Sequence, residues 1–206
     1  MPEPAIIVVG ASTGGVAALM ALASVLPPDL PAAVFVVLLT AARPSALPRP
    51  SALPRLLSGR GPLPAVPATD GAPIQPGRIY VAPGDYHLLV ARGHMHVAQS
   101  PSENGFRPAI DPLFRSAAHA YGPHVIGVIL SGWLDDGTAG LLAVKHHGGV
   151  AVVQDPDEAT APGMPRSALA YVAVDHTLPL AAMGPLLGRL AAAAAEGTDR
   201  RPDEGM

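Results

Sequence analysis

The sequence predicts an α/β domain built on a mainly parallel sheet with helices on both faces and a small antiparallel hairpin attached. Three observations carry this. Short β-branched runs recur along the chain and are continuously apolar rather than alternating, as strands covered on both faces require. Longer Ala/Leu-rich stretches with apolar residues at helical spacing lie between them. The 206 residues, 49% hydrophobic and 14% charged, are enough to bury one sizeable core and leave little room for a second. Strand–helix alternation of this kind implies right-handed crossovers.

Ala5–Val9 (AIIVV) opens the series as a buried strand. Gly15–Leu26 follows as a helix, ended by Pro27 and Pro28. Ala33–Leu39 (AVFVVLL) is the second strand. A perfect tandem hexapeptide, RPSALP, occupies Arg43–Pro48 and again Arg49–Pro54; two copies are too few for a repeat architecture, and the segment is expected on the surface before a short helix. Ile79–Ala82, His87–Ala91 and His94–Ala98 are short strands, the last two forming a hairpin through Arg92-Gly93. Asp111-Pro112 has the form of an N-cap followed by proline at the first helical position, opening a helix to about Tyr121. Val125–Leu130 and Val150–Val153 are further strands, separated by a helix at Thr138–His147 that Gly148-Gly149 closes. Helices at Pro165–Ala170 and Leu180–Ala195 finish the domain, taken as residues 1–195, and 196–206 is expected to be a polar, frayed tail.

Composition removes several classes of function. The net charge is −3, and Lys145 is the single lysine among thirteen basic residues, so no basic patch for nucleic acid or a membrane surface is expected. The absence of cysteine excludes disulfides, thiolate catalysis and thiolate-bound metal. No apolar run approaches the roughly 20 residues that span a bilayer, and no signal-peptide pattern opens the chain. The expectation is a soluble cytoplasmic domain without cofactor or metal.

Two turns carry chemistry. Gly10-Ala11-Ser12-Thr13-Gly14-Gly15 joins the first strand to the first helix. A dinucleotide fingerprint would need glycine where Ser12 stands and a carboxylate ending the second strand, which instead ends Leu38-Leu39-Thr40; a Walker loop would need a lysine. Three readings remain: a nucleophilic Ser12 at a helix N-terminus, a turn whose Ser12 and Thr13 cap the helix, and a phosphate-binding turn. The second turn, Ser131-Gly132-Trp133-Leu134-Asp135-Asp136-Gly137-Thr138-Ala139-Gly140, follows another strand and opens a helix, placing two carboxylates at the strand's end either to orient a base or to cap that helix.

Together and in this order, these turns resemble the catalytic domain of the chemotaxis protein-glutamate methylesterases, the CheB family. Pro76–Leu88 (PGRIYVAPGDYHL), Arg107–Ser116 (RPAIDPLFRS) and Gly163-Met164-Pro165-Arg166 resemble further segments of that family, and the likeness runs from about Ala5 to Leu190. The resemblance implies a doubly wound sheet with an antiparallel hairpin. It also implies hydrolysis of glutamyl methyl esters on chemoreceptor helices, with deamidation of selected glutamines, by a Ser–His–Asp triad. By position, Ser12 matches the nucleophile, Thr13 its neighbour, Asp136 the triad acid, and the Trp133 backbone N–H the oxyanion donor. The family's histidine ends the second strand, and Leu39 stands in its place here.

No histidine precedes His87, so a shift of register restores none. His87, in a segment the family places at the same face, and His124, His146 and His147 are the substitutes considered; each also reads as an ordinary surface or helix-end histidine. The alternatives are therefore an esterase with an unusual base or reduced rate, a non-catalytic binding module of the same family, and a phosphate or small-molecule binder. Family members commonly carry an N-terminal receiver domain, and this chain is expected to lack that route of control. Chemoreceptor helices are the implied partner, with neither nucleic acid nor membrane insertion.

Overall fold

The computed structural model describes residues 4–39 and 51–197. Seven parallel strands form one sheet in the order β3-β4-β2-β1-β7-β8-β9. In chain order these are β1 (Ala5–Ala11), β2 (Ala32–Leu38), β3 (Ala65–Pro67), β4 (Arg78–Val81), β7 (Val125–Ile129), β8 (Val150–Gln154) and β9 (His176–Leu178). The hairpin of β5 (His87–Ala91) and β6 (His94–Ala98) is a separate antiparallel pair. The helices are α1 (Gly15–Val25), α2 (Leu53–Ser58), α3 (Ile110–Tyr121), α4 (Thr138–His146), α5 (Gly163–Tyr171) and α6 (Leu180–Gly197).

Every residue of β1 is buried, and its side chains divide strictly between two cores. Ala5, Ile7 and Val9 join Leu19 and Leu22 of α1, Leu57 of α2, and Met183 and Leu187 of α6. Ile6 and Val8 join Ile110, Leu113 and Phe114 of α3, Leu141 of α4, Met164 of α5, and Leu88 and Met95 of the hairpin. The two-residue period of a strand thus supplies both layers at once. Each large side chain removed from water contributes about 1.5–3 kcal/mol, which an eleven-residue helix such as α1 needs, because helices of that length are marginal alone. Both faces of the sheet are covered, as the continuous apolar runs required, and the fold is the doubly wound one.

The chain leaves β1 for β2 on one side, and β7 later fills the other side. The C-terminal ends of β1 and β7 therefore flank the point where strand order reverses, the place open α/β sheets offer to ligands. Both informative turns sit there.

Several expectations need correcting. β1 runs on to Ala11, pairing with Leu38. β3 and β9 were not expected; each is a three-residue edge strand, the first ending in Pro67. The strand expected at Ile79–Ala82 runs one residue earlier, as β4 (Arg78–Val81), and belongs to the parallel sheet. α3 begins at Ile110, so Asp111 lies inside the helix rather than capping it. α6 continues through Gly197, so the polar tail is helical at its start. Most of the tandem hexapeptide and residues 198–206 lie outside the described residues, while Leu53 and Pro54, the last residues of the second copy, form the first turn of α2. Among the described residues no helix is long and apolar enough to cross a membrane.

Candidate active site at the ends of strands β1 and β7

Ser12 follows the last residue of β1 and is half-buried; Thr13 beside it is exposed. The turn closes at Gly14, whose φ of 75° suits glycine. A Cβ there would also lie 2.8 Å from Ser131 Oγ. Among the described residues no side chain caps the N-terminus of α1, so neither Ser12 nor Thr13 serves as the helix cap that one reading of the turn foresaw.

Ser131 ties this turn to its neighbours. Its carbonyl accepts the Ser12 N–H at 2.9 Å, and its hydroxyl donates to the Thr13 carbonyl at 2.7 Å. The same hydroxyl accepts the Ala161 N–H at 2.9 Å. Gly132 continues the link, donating to the Ala161 carbonyl and accepting the Met164 N–H. Buried Gln154, the last residue of β8, holds the Ser131 N–H through Oε1 at 2.9 Å. Trp133 and Leu134 then project into solvent, 56% and 66% exposed. The Trp133 N–H donates to no acceptor among the described residues.

Asp136 is buried and bonded away from its own helix. Its Oδ2 accepts the Ile110 N–H at 2.7 Å, and Oδ1 accepts the Asn104 amide at 2.8 Å. It therefore caps α3. Asp111 answers from α3, its Oδ1 accepting the N–H groups of Gly137 and Gly140 at 3.0 and 2.6 Å and so capping α4. Asn104 Nδ2 reaches both carboxylates, at 2.9 Å from Asp111 and 2.8 Å from Asp136. Burial pushes the Asp136 carboxyl up to about 6, against the pull of the Ile110 N–H and the Asn104 amide, with the Asp111 charge adding to the rise. Asp135 is exposed.

Neither Asn104 nor the true role of Asp111 was foreseen. The signal for Asn104 was the dipeptide Asn104-Gly105, whose φ angles of 54° and 80° make the tight turn between Glu103 and Phe106. Arg107 pairs with Asp85 at 2.7 Å, and this guanidinium holds the Asp85 carboxyl below the usual range.

Leu39 donates its N–H to the Ala11 carbonyl at 2.8 Å, which seats it directly beside the Ser12 turn. Its side chain is 6% exposed and belongs to the apolar cluster that includes Ile110 and Met164. Three of the four considered substitutes are hydrogen-bonded elsewhere. His87 opens β5, is buried, donates through Nε2 to the Pro101 carbonyl at 3.0 Å and accepts the Ala109 N–H at Nδ1. His124 binds the Ala194 carbonyl, and His147, with His146 at the C-terminus of α4, binds Ala143; these lie toward the opposite edge of the sheet from Ser12.

A serine and a buried carboxylate thus lie on adjacent turns at the switch point of a doubly wound α/β sheet. The family model described as CheB methylesterase matches residues 7–187, and the chain belongs to that family. It is 40% identical over 191 residues to "Protein-glutamate methylesterase/protein-glutamine glutaminase 5" of Anaeromyxobacter dehalogenans, a match covering 90% of this chain and 51% of that protein. A protein of the same description, numbered 1, from Burkholderia pseudomallei is also 40% identical over 191 residues. The chain spans about half the length of the curated relatives it matches. The crystal structure of the Thermotoga maritima CheB methylesterase catalytic domain superimposes with a TM-score of 0.83 at 33% identity, covering 91% of this chain and 99% of that one.

Proposed function

We propose that this chain binds the glutamyl side chains of chemoreceptor helices and hydrolyses their methyl esters only slowly. Leu39 carries the reading: it puts hydrocarbon beside the Ser12 turn where the family's triad expects an imidazole. In the full reaction serine attacks the ester carbonyl while histidine takes its proton, backbone N–H groups hold the oxyanion, methanol leaves, and water frees the acyl-enzyme. Here Ser12, at the positive end of α1, would supply the attacking oxygen and the Trp133 N–H the oxyanion contact. Asp136 has no imidazole to orient and is spent on capping α3.

A serine hydroxyl without a base is a weak nucleophile at pH 7. Losing one triad member lowers rates by roughly 10⁴–10⁶-fold, yet binding and the oxyanion contact retain some 10³–10⁴-fold over water. Recognition thus outlasts turnover, and the exposed Trp133 and Leu134 offer it an apolar lip.

The test is methanol release from methylated receptor fragments, measured beside direct binding of the same fragments. The expected result is saturable binding with turnover at least 10³-fold below the ordinary 1–10³ s⁻¹ range. Ordinary turnover abolished by Ser12→Ala would replace this reading with an active esterase that has recruited another base.

A further inference from the structure

Away from the Ser12 turn, the hairpin brings two imidazoles together. His94 and His96 are two apart on β6 and stand on one side of the strand, while Met95 between them is fully buried on the other. Their partners decide where the ring protons sit. His94 Nδ1 lies 2.9 Å from the Arg92 carbonyl, and His96 Nδ1 lies 3.3 Å from Asp70 Oδ1. That carboxylate oxygen is itself held by the Val97 N–H at 3.0 Å. A carbonyl and a carboxylate only accept, so each Nδ1 carries the hydrogen, and each Nε2 of a neutral ring is then a bare lone pair. The two Nε2 atoms are 3.0 Å apart. Lone pairs facing at that distance call for a cation between them.

We propose that His94 and His96 chelate a divalent transition-metal ion through their Nε2 atoms, with Asp70 and the Arg92 carbonyl fixing the two rings from outside. A proton shared between the Nε2 atoms is the competing arrangement, because the pair also meets hydrogen-bond geometry; the ring positions lie nearer to those around a metal. The ring centroids are 4.7 Å apart and the planes cross at 84°. A straight imidazole–imidazolium hydrogen bond at this nitrogen separation would hold the centroids about 5.2 Å apart. Two metal–nitrogen bonds of about 2.1 Å meeting at about 90° bring them to about 4.6 Å. An angle near 90° suits cis positions of tetragonal or octahedral ions better than a tetrahedron, which favours Cu²⁺ and Ni²⁺ over Zn²⁺. Among the described residues no group of three or more His, Asp or Glu side chains converges, so solvent completes the coordination. The outer contacts are of the kind that hold a ligating imidazole in one tautomer. The proposal departs from the expectation of a metal-free chain, and its sequence signal was His-x-His on a strand.

The experiment titrates chelator-treated full chain with Cu²⁺ and, separately, Ni²⁺ by calorimetry, and records the electron paramagnetic resonance of the Cu²⁺ form. The expected result is one site with nitrogen hyperfine structure from two imidazoles. His94→Gln with His96→Gln should weaken binding by at least about 100-fold, and Asp70→Asn by about 10-fold. His146→Gln with His147→Gln should leave it unchanged, and each variant's melting temperature in chelator shows that it is folded. Cu²⁺ affinity unaltered by the paired His94 and His96 substitutions would overturn the proposal. So would ¹⁵N spectra in which Cu²⁺ leaves both rings undisturbed and a proton is shared between the Nε2 atoms.

Discussion

Asp136 caps the helix that carries Asp111, and Asp111 caps the helix that follows Asp136. Asp136 accepts the Ile110 N–H at the start of α3, and Asp111, one residue further on, accepts the Gly137 and Gly140 N–H groups at the start of α4. Each carboxylate meets the positive end of a helix dipole, and the Asn104 amide sits between the two charges. The exchange fixes the turn that carries Trp133 and Asp136 against the segment leading into α3.

Asp111→Ala would leave two buried N–H groups without acceptors. The expected loss is about 2–3 kcal/mol, from the cap and from the unsatisfied donors. Asp135→Ala, at an exposed neighbour, should stay within about 0.5 kcal/mol. Urea unfolding at unchanged slope measures both; equal effects would remove Asp111 from this role.

The Asp136 carboxyl, pushed up to about 6 from an ordinary 3.8, gives a pH dependence of known sign. The folded chain holds a proton that the unfolded chain releases. This contribution to stability is complete below about pH 3.8 and is lost as pH rises through about 6. Carbon-13 titration of the carboxyl should show an inflection near 6 that Asp136→Asn removes. Acidifying from pH 7 to about 5 should stabilise the native sequence more than that variant. An inflection below the ordinary value would show that hydrogen bonding outweighs burial.

Gly132→Ala places a methyl 2.0 Å from Met164 Sδ and 2.9 Å from Ser12 Cβ. The flexible Met164 can swing away, but Ser12 is held by its backbone, so a loss of about 1–3 kcal/mol is expected. Gly84→Ala meets no atom within 4 Å and should be close to neutral. Adding Met164→Ala to Gly132→Ala should recover part of the loss, and a double-mutant cycle on thermal unfolding reads that coupling. Strict additivity would mean that the two side chains do not compete for space.

Leu39→His tests whether only the proton carrier is missing. If Ser12, Asp136 and the Trp133 N–H are otherwise ready, the imidazole should give ester hydrolysis that Ser12→Ala abolishes, rising with a titration near or above 6.5. The apolar surroundings of Leu39 set the opposing cost, about 1–3 kcal/mol for a buried imidazole left unpaired. A stable Leu39→His protein without Ser12-dependent activity would mean that the site departs from the triad at more than this position.

Much of this architecture is written locally. The run Ala5–Val9 is apolar at every position because β1 has a core on each side, and Ser12 follows it at the edge where such sheets bind ligands. Asp111-Pro112 shows where local reading fails. The dipeptide has the form of a cap, but the helix starts one residue earlier and the carboxylate serves α4 instead. Ser131 lies 118 residues from Thr13, whose carbonyl it bonds, and no window of sequence contains both. β3 and β9 escaped because three residues at the sheet's edge carry no period to detect.

The single hydroxyl of Ser131 has a consequence for exchange with solvent. It holds the Thr13 carbonyl and the Ala161 N–H together, while the adjacent backbone binds Ser12 and Met164. Opening any one of these turns breaks bonds that the others share. The amide protons of Ser12, Gly132, Ala161 and Met164 are therefore expected to behave as one cooperative unit, exchanging at a common rate rather than fraying separately as surface loops do.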